Sequence, residues 1–309
     1  MLAIFLKTLP FFALITLGYW AGRTRFFTAE ATLYLTKFVF YFALSAMLFN
    51  FSANLSLAEV WDGRLVAAYL WATLFVYGLV TIVCYVRGLN IETTAIEAQC
   101  AVIGNVGFLG VPMLVLLLGP EAIGPVMLVL AVDLIVFSSL IVILITGSRD
   151  GRMTLSILRT IGLGLIKNPM IVAITLGLLW SGLQIPIPVP MNEFLALLGA
   201  AATPGALFAI GASLASKSAE RLSIAGWLSF CKLVVHPLFV AFACFVLFKV
   251  EPYQATVAIS AAALPVAGNV YILAQHYGTS PQRVSAAILV STALSIVTVS
   301  LWIAWLTGT

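Results

Sequence analysis

Two short stretches carry residues whose types and spacing point to chemistry. One reads Gly104-Asn105-Val106-Gly107-Phe108-Leu109-Gly110-Val111-Pro112, the other Leu264-Pro265-Val266-Ala267-Gly268-Asn269. Each sets proline, glycine and a neutral amide in the middle of a long apolar run. Proline removes a backbone donor and clashes with the preceding turn, and glycine lowers the cost of leaving helical geometry. Helices are therefore expected to break at both places. A broken helix exposes N–H groups at the start of its second half, with a partial positive charge of about half a unit. Neither stretch holds Arg, Lys, Asp or Glu. Gly104, Asn105, Gly107, Pro112, Pro265, Gly268 and Asn269 are thus the candidate substrate-binding residues. Dipoles and amides suit a small carboxylate, with a neutral polar solute as the weaker alternative. One such stretch alone reads as a kink or a close helix contact; two in matching places argue for a site.

Ionisable residues inside apolar runs form the second group, because charge at membrane depth is costly. Asp133 and Lys232 fall about 15 Å and about 12 Å into their runs at helical rise. His236 follows Lys232 by one turn and shares its face. Asp133, Lys232 and His236 are candidates for coupling substrate movement to protons, either as a pair or around a shared polar cavity. The structural alternative is a static ion pair, or a lysine that snorkels to the inner surface. Glu97 and Gln99, with Gln275 and His276, are expected nearer the cytoplasm, as an inner vestibule or as hydrated helix ends. No HExxH, Walker-type lysine loop or GxSxG is present, so no enzyme, cofactor or metal site is expected.

The elements that must position these groups follow from composition. Of 309 residues, 62% are hydrophobic and 8% charged, against about 25% charged in a soluble domain. A bilayer, not water, has to be the solvent, which excludes a nucleic-acid-binding module as well as a cytosolic enzyme. The apolar runs are continuous, without period-two alternation, so they read as helices and not a barrel. Ten spans are expected, near 2–21, 33–50, 65–86, 96–118, 123–146, 168–184, 193–215, 224–248, 255–275 and 284–306. The first lacks the basic start and cleavage site of a signal peptide and reads as a retained span. Cys84, Cys100, Cys231 and Cys244 sit in apolar runs at unrelated spacings, as small buried hydrophobes do.

With ten spans, one set of loops holds Arg23, Arg25, Arg87, Arg149, Arg152, Arg159, Lys167, Lys217, Arg221 and Arg283. The other holds Lys7, Arg64 and Lys249. Positive-inside counting puts the first set in the cytoplasm and both termini on the opposite side. The longest inner connection, Gly147 to Lys167, divides the chain into 1–150 and 151–309. Its Arg152–Lys167 part reads as a short helix on the inner surface, or equally as an early start of the sixth span. With five spans per half, halves that are related have opposed topologies, the inverted repeat of many secondary transporters.

The residues also resemble the auxin efflux carrier family, particularly its bacterial members, from end to end. The match rests on Gly18-Tyr19, Phe42-Ala43-Leu44 with Phe49, and Asn105 to Pro112 in the first half. In the second it rests on Lys167-Asn168-Pro169 with Gly177, Pro204 with Leu207 and Gly211, Lys232 with Pro237, Leu264-Pro265 through Ala274, and Tyr277-Gly278. The resemblance implies an all-α membrane fold of two inverted five-helix repeats, similar to bile-acid sodium symporters, with broken fourth and ninth helices that cross. It also implies a scaffold of helices one, two, six and seven, often dimeric, and a transport domain of helices 3–5 and 8–10 that slides as an elevator. Ser45 departs from the proline common in the family. The short central loop differs from the long one of many plant members and argues against auxin as substrate. The expectation is a secondary transporter of a small carboxylate such as malonate or malate in a bacterial inner membrane. A sodium-coupled symporter and a non-transporting ligand sensor are the alternatives. Membrane lipid and a second copy of the chain are the expected partners.

Overall fold

Apolar runs without charge fold as helices because a helix satisfies every backbone group within itself. The computed structural model describes residues 2–55, 61–150, 155–215 and 222–308. All its regular structure among these residues is helical, apart from one isolated backbone bridge. The helices are α1 (Leu2–Arg23), α2 (Ala29–Ala53), α3 (Gly63–Val86), α4 (Ile91–Val102), α5 (Val106–Leu118), α6 (Pro120–Arg149) and α7 (Leu155–Lys167). They continue as α8 (Pro169–Gly182), α9 (Val189–Leu214), α10 (Leu222–Leu247), α11 (Pro252–Ala262), α12 (Gly268–His276) and α13 (Pro281–Thr307). Six of these, α2, α3, α6, α9, α10 and α13, are each long and apolar enough to cross a membrane, and α7 with α8 make a seventh if that bent pair counts as one.

The sequence left open whether 152–167 continues the sixth span. It does not continue it straight: α7 meets α8 at 73°. Asn168 explains the corner, since its side-chain oxygen caps the N–H of Met170 at 3.0 Å. Pro169, without an N–H of its own, opens α8 at no cost there. Arg152, Lys217 and Arg221 lie outside the described residues.

Close backbone approach joins α1, α2, α8 and α9. A Cβ on Gly211 would stand 1.9 Å from the Ile15 carbonyl oxygen, and one on Gly18 2.1 Å from that of Phe208, so α1 and α9 touch only because both are glycine. Gly177 of α8 meets Ser52 of α2 in the same way. Small residues at such contacts are how membrane helices pack without a hydrophobic driving force. α3, α6, α10 and α13 pack against the helices that flank the two broken stretches. All four cysteines are free and buried.

Five short π-helical stretches interrupt the described helices, among them Val106–Gly110, Asp133–Phe137 and Cys231–Val235. One extra residue per turn leaves carbonyls out of register and is common beside functional groups. Asp133 and Lys232 both sit in such turns.

Candidate functional site

Both expected breaks are present. Asn90 starts α4, its side chain accepting the Thr93 N–H at 2.9 Å. The helix stops at Val102 because Ile103 turns to extended backbone. At the other end of the break the Asn105 carbonyl accepts two N–H groups, from Leu109 at 3.1 Å and Gly110 at 3.0 Å. That wide first turn also suits Pro112, which has no N–H to return to the preceding turn. In the second break α11 ends at Ala262, and α12 restarts at Gly268 behind an extended Ala267.

The two breaks cross and join through their backbones. Gly104 and Val266 form an antiparallel bridge. Asn105 N–H donates to the Pro265 carbonyl at 2.9 Å, and Ala267 N–H donates to the Ile103 carbonyl at 3.1 Å. Val266 N–H reaches the Ser291 hydroxyl of α13 at 3.1 Å. Backbone groups freed by the interruption are thus re-satisfied at depth, the condition for irregular chain away from water. Gly104, Asn105 and Pro265 are brought into one knot. Gly107 and Pro112 lie further along α5, while Gly268 and Asn269 form the first turn of α12.

The halves of this knot differ in openness. Around α5, a Cβ on Gly107 would meet Met170 at 2.5 Å and one on Gly110 would meet Leu264 at 2.6 Å. Phe108 stacks on Phe40 of α2 with ring centroids 6.2 Å apart. Asn105 is buried. At α12, Gly268 is exposed with nothing within 4 Å of a Cβ built there. Asn269 is half-buried, and its buried side-chain oxygen has no partner among the described residues. The first turn of α12 is therefore the accessible helix start of the crossover.

Beside the knot lies a buried polar cluster. Lys232 has no exposed surface, and its ammonium donates to the Ala262 carbonyl at the end of α11. Its Nζ is 3.4 Å from His236 Nδ1, and His236 Nε2 is 3.0 Å from the Thr73 hydroxyl. Asp133 accepts the Tyr69 hydroxyl at 2.9 Å on one oxygen, while the other has no partner among the described residues. The Tyr69 ring meets the His236 ring edge-on, 5.8 Å between centroids. Asp133 and Lys232 share this neighbourhood without a direct ion pair, since none of the three ion pairs among the described residues joins them. Tyr69 and Thr73 complete the cluster and, like Ser291 beside the knot, were not legible in the sequence. They sit in apolar runs as single hydroxyls of common types.

Glu97 and Gln99 are neither a vestibule nor hydrated ends. Both are buried, and Glu97 takes Arg87 Nη1 at 2.8 Å and Arg283 on its other oxygen. Gln99 Nε2 reaches the Phe137 carbonyl at 3.4 Å. Gln275 and His276 are exposed, as hydrated ends are. A separate cleft of about 750 Å³, lined by Trp61, Asp62, Arg64, Lys249 and Glu251, lies at the starts of α3 and α11, away from the crossover.

The chain matches the family described as "Membrane transport protein" over residues 3–303. It is 28% identical over 298 residues to a protein of Rhizobium meliloti (strain 1021) named "Putative malonate transporter", covering 94% of this chain and 92% of that one. It is 26% identical over 307 residues to "Uncharacterized transporter YfdV" of Escherichia coli (strain K12), covering 96% of this chain and 95% of the other.

Proposed function

The chain belongs to the membrane transport protein family, that of the auxin efflux carriers, and from that premise we propose that it is a secondary transporter of a small dicarboxylate such as malonate. The observation that carries this reading is the crossover itself: an open helix start at Gly268, with the buried side-chain oxygen of Asn269, unpartnered among the described residues, beside it. A carboxylate gains from the N–H groups and partial positive charge of that turn. The Asn269 amide, turned to present its NH₂, supplies a further donor. With no arginine or lysine in either broken stretch, the anion leaves without breaking a strong ion pair. The relative in Rhizobium meliloti carries malonate in its name.

In this reading the chain crosses the membrane ten times, α4 with α5 and α11 with α12 each forming one interrupted crossing. A 12-residue helix such as α4 rises only about 18 Å, short of the roughly 30 Å of hydrocarbon. Residues 1–150 and 151–309 are then two inverted repeats. The glycine-locked α1, α2, α8 and α9 form the scaffold and the dimer contact. The body of α3 to α6 with α10 to α13 slides against it as an elevator, and Asp133, Lys232 and His236 couple that movement to protons. The bacterial inner membrane, with both termini outside, fits the basic loops.

Malonate counterflow into proteoliposomes tests the reading. The wild type exchanges labelled malonate. Asn269→Ala and Asn105→Ala each weaken malonate binding about tenfold, one lost hydrogen bond to a charged group. Binding without counterflow identifies a sensor instead, and unchanged affinity in both variants moves the site elsewhere.

A further inference from the structure

Away from the crossover, a small cavity gathers hydrogen-bond donors that lack an acceptor. The end of α3 and the start of α10 enclose about 380 Å³, lined by Val83, Arg87, Ser223, Ile224 and Trp227. Arg87 N–H donates to the Val83 carbonyl at 3.0 Å, so these two lie one helical turn apart on one face. Ser223 and Trp227 are likewise one turn apart on α10. Ile224 and Trp227 pack against the core, and the indole stands beside Phe230 with ring centroids 6.4 Å apart. Trp227 Nε1 is buried and has no partner among the described residues. An indole N–H and a guanidinium can only donate, and among the described residues no Asp or Glu lines the cavity. A buried donor without an acceptor is rare in a native fold and asks for an occupant that accepts.

Charge asks for the same occupant. One carboxylate, Glu97, faces two guanidiniums, taking Arg87 Nη1 at 2.8 Å on one oxygen and Arg283 on the other. No ion pair among the described residues gives either arginine a second carboxylate. The set therefore carries one unit of positive charge in excess, and Arg87, the more exposed of its two arginines, lines the cavity. The surroundings decide which anion it suits. Deeper along the same two helices, Ile82 and Phe230 are exposed apolar side chains, and Val86 and Leu222 flank the cavity in the same way. A phosphate seated on the donors thus has apolar surface beneath it for acyl chains. Basic pockets between membrane helices hold lipid headgroups by this combination.

We propose that the cavity binds one anionic phospholipid from the leaflet on the Arg87 side. Its phosphate accepts from the guanidinium of Arg87 and the indole N–H of Trp227, with the Ser223 hydroxyl beside them. The phosphate supplies the charge that Glu97 alone does not, and the lipid becomes the fourth member of the Arg87–Glu97–Arg283 set. A free phosphate ester would meet the same donors but leave the apolar track empty. The site is separate from the crossover, so it stands whether or not the substrate is malonate.

The experiment follows thermal unfolding of the purified, delipidated full chain in detergent, without substrate. It is titrated with dihexanoylphosphatidylglycerol, with dihexanoylphosphatidylcholine, and with sn-glycerol 3-phosphate. The anionic lipid raises the melting temperature of the wild type by about 2 °C or more, as a ligand of the folded state does. The zwitterionic lipid with the same tails, and the phosphate ester without tails, do not. Trp227→Phe keeps an aromatic ring and removes only the donor, weakening phosphatidylglycerol binding about tenfold, one hydrogen bond to a charged group. Arg87→Gln abolishes the shift. An equal response to phosphatidylcholine overturns the proposal, since the tails alone then suffice. An equal response to glycerol phosphate overturns it in favour of a free-anion site. Unchanged phosphatidylglycerol affinity in Trp227→Phe places the lipid elsewhere, and that variant decides the matter if Arg87→Gln fails to fold.

Discussion

Glu97 and Asp133 are both carboxylates buried in the helix bundle, and they are held in opposite ways. Glu97 spends both oxygens: one takes Arg87 at 2.8 Å and the Cys84 thiol at 3.4 Å, the other takes Arg283. Those partners come from the ends of α3 and α13, so a single residue of α4 ties three helices together. Asp133 has one hydroxyl donor, Tyr69, and one buried oxygen with none. A buried charge with a full set of partners resists change, because any rearrangement uncovers it. A carboxylate with a vacant acceptor stands one contact short of satisfaction, and a new donor or a proton completes it. Glu97 is built as a clamp, whereas Asp133 is held by a single donor among the described residues.

The largest expected effect breaks the clamp. Glu97→Gln leaves Arg87 and Arg283 facing an amide, and removing one member of a buried ion set costs about 3 kcal/mol. Both arginines are partly exposed, 32% and 15% by side chain, which lets them turn toward water and keeps the loss near the low end. Denaturant unfolding in detergent measures it. If the clamp is one unit, Arg283→Gln added to Glu97→Gln costs less than the sum of the two singles. Strict additivity would mean that Glu97 and Arg283 do not act together.

The clamp also marks where sequence reading ended. The crossover was legible because proline, glycine and asparagine in mid-run have few innocent explanations at membrane depth. Asp133 and Lys232 were legible by depth alone. Their partners were not, since Tyr69 and Thr73 of α3 differ in no way from other residues of an apolar helix. Glu97 was misjudged for a different reason. Arg87 and Arg283 read naturally as inner-loop charges, and only the fold brings Arg283 against a residue 186 positions earlier. The π turns were invisible because one added residue does not disturb the apolar pattern of a helix that is hydrophobic all round.

Asp133→Asn should do the reverse of Glu97→Gln: little to stability and much to transport. The amide keeps the shape and accepts the Tyr69 hydroxyl, a neutral hydrogen bond replacing a charged one, so the loss is about 1 kcal/mol. If Asp133 changes partners during the cycle, counterflow in this variant loses its pH dependence while the protein remains folded. A destabilisation matching that of Glu97→Gln would place Asp133 among the clamps and remove the contrast.

The smallest effect comes from Glu92, one helical turn and a half before Glu97 on the same helix and likewise paired with an arginine. Arg149 grips it with Nη2 at 2.8 Å and Nε at 3.1 Å, and the Thr279 hydroxyl adds a bond at 2.9 Å. The Arg149 hydrogen bonds, then that of Thr279, hold the Glu92 carboxyl below the usual carboxylate range against a desolvation effect that opposes them. Here both partners are partly exposed, 43% and 23% by side chain, so water screens the attraction and an exposed pair contributes little. A depressed pKa in the folded state contributes stability above the unfolded value, and that stability is lost as pH falls through the folded value. Arg149→Gln should therefore melt slightly below the wild type at neutral pH, with the gap closing below about pH 4. If burial is what makes Glu97 a clamp, this gap stays well under that of Glu97→Gln at every pH. A gap of equal size would show that the arginine fork, and not its removal from water, carries the strength.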